Sequence, residues 1–338
     1  MHFCWRRSRD RQCCLVERFL IWTNVLLKDR VETLFLEGTS GHSLIVSKSG
    51  DNILAVGGRD PGLLKAQIAF GQPEPEDLLS APLLRWAQLS SAGYTRYDRP
   101  DLRQRFQKDR ITLTNSSAVF SAPCAQHALA WLLAESRRLL PAYHNQSTAR
   151  GWPQNELREQ CRLLGEQTML ILGFGSIGAE LASYLAPLGV KLIGYRRNPV
   201  QVGPIPMIGP DGLDEALSVA DHVVNTLPAS PETDGFFGTH RFALMKSGAC
   251  YYNLGRGTTT DQKALHTALV EGRLAAAYLD VTEPEPLPPS DPLWTTPNCY
   301  ITPHSSGGHA NEWERLVLHF LANLRRFEQG EALVNRVF

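Results

Sequence analysis

No sign of charge prevails in this chain: 34 basic residues balance 34 acidic ones, a formal net charge of zero. A broad cationic surface is therefore not expected, nor is nucleic acid or an anionic membrane as a partner. Long apolar runs are also missing. The stretch at residues 19–27 is broken by Asn24 and falls well short of the roughly 20 residues that span a bilayer. It has neither the apolar core nor the small-residue cleavage site of a signal peptide. Residues 1–30, rich in Arg and Cys, thus read as an extension outside the folded domains, disordered or helical. The seven cysteines (Cys4, Cys13, Cys14, Cys124, Cys161, Cys250 and Cys299) are odd in number and show neither a CxxC pair nor metal-ligand spacing. That argues against a disulfide framework and for reduced thiols in a cytoplasmic protein, with no metal. Internal repeats and low-complexity tracts are absent as well, so no repeat array organises the chain.

What is present is an ordinary globular composition, 43% hydrophobic and 20% charged, in 338 residues. That length is long for one core and suits two domains. Its most informative feature is Gly173-Phe174-Gly175-Ser176-Ile177-Gly178. Alone, such a hexapeptide says little; here Thr168-Met169-Leu170-Ile171-Leu172 precedes it as a buried strand. After it Ile177, Leu181, Leu185 and Leu188 recur at helical spacing, and a second strand is expected at 190–195. The unit is β-turn-α-β. Gly173 allows the tight turn, Gly175 lets backbone approach a pyrophosphate, and Gly178 lets the helix lie close to its strand.

Before the glycines, strand-like runs occur at 44–46, 67–70, 83–89 and 111–113, separated by turn-rich stretches such as 57–62 and 72–75. Ser121 is placed to cap a helix with Pro123 in its first turn, running to about residue 140 as a crossover between domains; a polar stretch at 144–159 follows. Beyond residue 195 helices are expected at 213–220 and 261–271, with strands at 222–227, 249–254, 275–281 and 300–302. The last helix, 311–328, puts Trp313, Leu316, Val317, Phe320, Leu321, Leu324 and Phe327 on one face, which must be buried against the first domain.

Ligands of doubly wound sheets bind beyond the carboxyl ends of the strands. Three segments end there with reactive residue types: Asn253-Leu254-Gly255-Arg256-Gly257, Asp280-Val281-Thr282-Glu283-Pro284-Glu285-Pro286 and Thr302-Pro303-His304-Ser305-Ser306. Together they suit reduction of a carbonyl. Hydride addition leaves negative charge on oxygen; a His supplies the proton, a carboxylate orients the ring, and a guanidinium grips a substrate carboxylate.

These segments, with Leu89-Ser90-Ser91-Ala92-Gly93 and Met245-Lys246-Ser247-Gly248-Ala249, form an ordered set across residues 83–337. The set resembles the D-isomer-specific 2-hydroxyacid dehydrogenase family, especially its glyoxylate/hydroxypyruvate reductase branch. The resemblance implies an α/β fold of two doubly wound parallel-sheet domains. A Rossmann cofactor domain (123–307) is inserted into a flavodoxin-like substrate domain (31–122 and 308–338), and a homodimer forms through the inserted part. It implies that Arg256 orients the substrate and His304 donates the proton. Glu285 pairs with His304, since it fits the family register better than its rival Glu283. Backbone N–H groups around Ser91, Ala92 and Gly93 would hold the substrate carboxylate. Cofactor contacts would come from Gly173, Gly175, Ser176, Ile177, Gly178, Arg196, Arg197, Leu227, Pro228, Leu254, Gly255, Asp280 and His304, with Asp280 on the nicotinamide carboxamide.

Two departures from the family pattern stand out. Members preferring NAD carry an acidic residue about twenty positions past the glycines. Here the strand ends in Tyr195-Arg196-Arg197-Asn198, whose guanidiniums attract a 2′-phosphate, so NADP(H) is expected over NAD(H). The other is Gln126, where many relatives carry Glu. A non-catalytic, dinucleotide-sensing corepressor of the same fold retains the Arg-Glu-His set and stays open as an alternative. A formate- or phosphite-type oxidation is less favoured, because Glu rather than Gln accompanies the His.

Overall fold

The computed structural model describes residues 17–47 and 59–338. Residues 1–16 of the expected extension, with Cys4, Cys13 and Cys14, and part of the 57–62 turn lie outside them. The chain divides into two compact units, Met1–Ser116 with Trp313–Phe338, and Ser117–Glu312. The first unit is thus made of two chain segments with the second unit between them.

The first unit holds a five-stranded parallel sheet of β1 (Leu20–Thr23), β2 (Ser43–Val46), β3 (Ile68–Gly71), β4 (Trp86–Leu89) and β5 (Thr112–Thr114). Its order, β2-β1-β3-β4-β5, is the flavodoxin-like one. Within the described residues β1 corrects the reading of residues 1–30 as an extension: Leu20–Thr23 of the apolar run form a strand that packs on both faces. Ile21 packs with Phe70, Trp86 and Phe320 on one side, and Trp22 with Leu63 and Leu78 on the other. A strand covered on both faces is apolar throughout and too short to declare itself by alternation. Asn24, which seems to break the run, fastens it instead. Its side chain donates to Gln72 O (3.0 Å) and accepts from Gln72 N–H (2.9 Å) at the end of β3.

The C-terminal helix Glu312–Glu328 buries Leu316, Val317, Phe320, Leu321 and Leu324, as its pattern requires. Phe320 stacks on Phe70 (4.3 Å between centroids) and Trp86 (5.3 Å). Removing such a side chain from water is worth about 1.5–3 kcal/mol, so this face fixes the helix on the first sheet.

The second unit holds a seven-stranded parallel sheet: β6 (Thr168–Leu172), β7 (Lys191–Tyr195), β8 (Met207–Ile208), β9 (His222–Asn225), β10 (Ala249–Asn253), β11 (Leu274–Leu279) and β12 (Cys299–Ile301). The order β12-β11-β10-β9-β6-β7-β8 reverses direction between β6 and β9 and so opens a crevice beyond their carboxyl ends. The short β8 and the helix Thr239–Leu244 had no signal strong enough to read from sequence. The first helix differs from expectation. It spans Ser117–Ser136 with Pro123 inside it, and Ser121 bonds Ala118 O rather than capping. It stops before residue 140, at Ser136, and Arg138, with φ of 54°, separates it from the helix Leu139–Ser147. Because it packs along the helix Ser176–Leu185, it belongs wholly to the second unit. The division therefore falls at 116/117 and 312/313, not at 122/123 and 307/308. The polar stretch at 144–159 also contains most of a short helix, Gln154–Gln160. No helix among the described residues is long and apolar enough to cross a membrane.

His222, at the start of β9, is 2% exposed and its Nδ1 lies 3.0 Å from the Tyr252 hydroxyl. Burial pushes its pKa from 6.5 down to about 4, against the weaker pull of Asp221. Below pH 6.5 the unfolded chain takes up a proton that the folded chain refuses until near pH 4. Stability is therefore full above that window and falls as pH drops through it, His222 alone accounting for about 3 kcal/mol. Urea unfolding at pH 7, 5.5 and 4.5 reads the slope. His222→Asn should flatten it, and an unchanged slope removes His222 as its source.

Candidate active site

β6 delivers the chain into the glycine turn at the crevice. Gly173 has φ of 74°, and a Cβ there would lie 2.9 Å from the Thr226 backbone, so only glycine fits. A Cβ on Gly178 would press on Ile171 Cγ2 at 3.0 Å, the close helix–strand approach expected of that position. Gly175 differs: a Cβ there would meet only Gly173 O, at 3.5 Å. Space beside Gly175 is open on the side where a pyrophosphate would approach. The helix Ser176–Leu185 starts on it without a side-chain cap, leaving N–H groups of its first turn for an anion. Across the crevice Leu227 and Leu254 are buried, Pro228 is exposed, and a Cβ on Gly255 would strike Leu227 O at 2.4 Å. These residues fit a dinucleotide.

The two arginines after β7 do different things. Arg196 Nε donates to Phe174 O at 2.5 Å and so braces the glycine turn, whereas Arg197 is exposed. Burial raises the Tyr195 hydroxyl pKa, while the charges of Arg241 and Arg197 lower it, so both cations lie near that hydroxyl. Arg241, over the Phe236 ring at 3.8 Å, escaped notice in the sequence because nothing local marks it.

β10, β11 and β12 end side by side and bring Arg256, Glu285 and His304 together. Glu285 Oε2 lies 2.8 Å from His304 Nδ1, and its Oε1 accepts from Thr282 N–H at 3.1 Å. A carboxylate only accepts, so Nδ1 carries the hydrogen and Nε2 is left for a reacting partner. Both side chains are 38% exposed, open enough for a small molecule to reach. Glu283, the rival, donates its backbone N–H to Gln262 Oε1 at 2.7 Å and stands exposed. Burial lowers the Arg256 guanidinium pKa; the nearby Glu285 carboxylate acts the other way. One guanidinium nitrogen donates to Gly255 O at 2.6 Å, and the Arg256 carbonyl accepts from Asn253 and Thr259. The loop is thereby fixed under its charge.

Asp280, expected on the nicotinamide carboxamide, is 3% exposed and works within the protein. Oδ1 accepts from Thr302 Oγ1 (2.7 Å), Ser305 N–H (2.9 Å) and Ser306 N–H (3.1 Å), and its Oδ2 also accepts from Ser306 N–H. It ties β11 to the loop bearing His304, whose N–H bonds Asp280 O at 2.8 Å and whose φ is 47°. The Thr and Ser residues flanking His304 in sequence were the available signal. Gln126 is exposed on its helix.

In the first unit Ser91, Ala92 and Gly93 follow β4, and neighbours hold all three carbonyls. Ser116 N–H donates to Ser91 O (2.9 Å), Asn115 Nδ2 to Ala92 O (2.7 Å) and Ser91 Oγ to Gly93 O (2.6 Å). Gln72 Nε2 adds a bond to Ser91 Oγ at 3.0 Å. Neither Asn115 nor Gln72 was marked by the sequence motifs.

Residues 129–306 match the family model described as D-isomer specific 2-hydroxyacid dehydrogenase, NAD binding domain. The glyoxylate reductase of Korarchaeum cryptofilum is 31% identical over 269 residues, 76% of this chain and 77% of that protein. The glyoxylate reductase/hydroxypyruvate reductase of Mus musculus is 34% identical over 236 residues, 67% of this chain and 70% of its own. Among solved structures, a D-isomer specific 2-hydroxyacid dehydrogenase from Xanthobacter autotrophicus Py2, in complex with NADPH and MES, has a TM-score of 0.79. It is 26% identical, covering 95% of this chain and 98% of that one. With the paired Glu285 and His304 beside Arg256 in a doubly wound parallel sheet, these likenesses place the chain in the D-isomer-specific 2-hydroxyacid dehydrogenase family of oxidoreductases.

Proposed function

We propose that the protein reduces a small 2-oxo acid, such as glyoxylate or hydroxypyruvate, to the D-2-hydroxy acid with NADPH in preference to NADH. The observation that carries this reading is the 2.8 Å contact between Glu285 and His304 beside Arg256. The reduced nicotinamide, when bound, supplies the hydride taken by the carbonyl carbon. Arg256 grips the substrate carboxylate and draws electron density from the carbonyl oxygen. His304 Nε2 gives its proton to that oxygen, and Glu285 holds Nδ1–H before and after the transfer. Backbone N–H groups of Ser91, Ala92 and Gly93 are carried over as ligands of the substrate carboxylate. A panel of 2-oxo acids run with both nucleotides tests the reading; turnover of none with either would end it.

The arginine geometry refines the cofactor preference. Arg197, exposed and not tied to the glycine turn, is the residue that attracts a 2′-phosphate; Arg196 mainly holds the turn. Arg197→Ser should raise KM for NADPH by about tenfold and leave NADH within about twofold, as loss of one charged contact implies. Arg196→Ser should raise both. Equal effects of Arg197→Ser on the two nucleotides would remove the assignment.

The reading includes a homodimer through the second unit. Its support is a set of apolar side chains exposed between residues 139 and 163: Tyr143 (68%), Trp152 (89%) and Leu163 (59%). Light scattering should give twice the chain mass, and a single-chain mass removes the dimer.

A further inference from the structure

The helix Ser117–Ser136 brings a histidine to the loop of His304 that the reaction itself leaves unused. His127 Nε2 lies 2.9 Å from Trp131 Nε1 and 3.2 Å from Thr302 Oγ1, and Thr302 Oγ1 in turn lies 2.7 Å from Asp280 Oδ1. We infer that His127 is a positioning residue for His304: with Trp131 and Thr302 it keeps the loop carrying His304 latched to Asp280.

Donor and acceptor roles fix the direction of the chain. An indole N–H only donates, so His127 Nε2 accepts from Trp131 and bears no hydrogen. Thr302 has one hydroxyl proton and two acceptors within reach; the shorter contact gives it to Asp280, with His127 as the longer, secondary one. A hydrogen on Nε2 would face the Trp131 N–H donor against donor. Burial of the ring lowers the His127 pKa, with Asp280 acting the other way, and so keeps Nε2 free. Asp280 then accepts the two N–H groups that follow His304 as well as His304 N–H on its carbonyl. That backbone sits at φ 47°, a conformation that an L-residue keeps only when its surroundings impose it. The latch imposes it, and it fixes which way the ring meets Glu285.

This inference rests on His304 being the proton donor, and the test separates the two. His127→Leu fills similar space with no acceptor, His127→Gln restores a carbonyl acceptor, and Thr302→Val removes the hydroxyl with little change of shape. His127→Leu and Thr302→Val should each lower kcat about tenfold with KM for the 2-oxo acid within about twofold, as slight misplacement of a reacting group does. His127→Gln should recover to within about threefold of the parent, the reverse of what a packing role would favour. In the nucleotide-free protein, NMR should show the hydrogen-bonded Nδ1–H resonance of His304, assigned by its loss in His304→Ala. It should fade in His127→Leu and Thr302→Val and persist in His127→Gln. A folded His127→Leu with parental kcat and an intact resonance overturns the latch, as does His127→Gln impaired as much as His127→Leu. Wild-type turnover by His304→Ala would instead overturn the proton-donor reading, and the resonance would still report on the latch.

Discussion

His304→Ala is expected to lower kcat by about 10²- to 10⁴-fold, the usual worth of a positioned general acid. The pairing defines the kind of loss. Glu285 holds Nδ1–H at 2.8 Å, so the ring is oriented with Nε2 as its reactive atom; alanine removes that atom and leaves Glu285 its Thr282 bond. The nucleotide should bind nearly as before, because the open glycine turn and Arg197 lie on other loops. Stopped-flow reduction at saturating NADPH isolates the chemical step. His304→Gln, which can hydrogen-bond but not deliver a proton well, should be nearly as slow. A His304→Ala protein that turns over at the parental rate removes this residue from the mechanism.

The pairing of His304 with Glu285 was legible in the sequence, and the reason is physical. Reactive side chains of a doubly wound fold sit immediately after strands, so apolar runs ending in Arg256, Asp280 or His304 announce their own positions. The glycine turn was legible for a related reason: at Gly173 and Gly178 any side chain would collide with backbone or core. What escaped was set by distant partners. β1 hid because a four-residue strand packed on both faces shows no period, and Asn24, which follows it, bonds to Gln72, 48 positions away. The helix Ser117–Ser136 begins earlier than Pro123 suggests because packing on Ser176–Leu185 offsets one lost backbone bond. The His127–Thr302 contact spans 175 positions, and no local pattern encodes it. Adjacency in sequence makes the two arginines look equivalent, and only the fold distinguishes them, since Arg196 alone of the two holds Phe174 O.

Arg256→Gln should lower kcat/KM for a 2-oxo acid by about 10³-fold, roughly 4 kcal/mol, the cost of removing one member of a desolvated charge pair. Burial disfavours the guanidinium charge more than Glu285 and Cys124 favour it, so a substrate carboxylate completes the site's neutralisation. Arg256→Lys keeps the charge but not the planar fork, and should recover only part of the loss. The decisive comparison uses two substrates. Glyoxylate has a carboxylate for Arg256 to grip, whereas glycolaldehyde offers a carbonyl with a neutral neighbour. If Arg256 acts through the carboxylate, Arg256→Gln should penalise glyoxylate heavily and the poor activity on glycolaldehyde by less than about tenfold. Polarisation of the carbonyl alone would penalise both alike, and equal losses would strip Arg256 of its carboxylate role. A loss of both with a lowered melting temperature would instead trace to the bond that the Arg256 guanidinium makes within its own loop, to Gly255 O. If Arg256 and His304 act on the same substrate oxygen, their separate losses should not add. Once the carbonyl is unpolarised, removing its proton donor costs less, and the double variant measures that coupling directly.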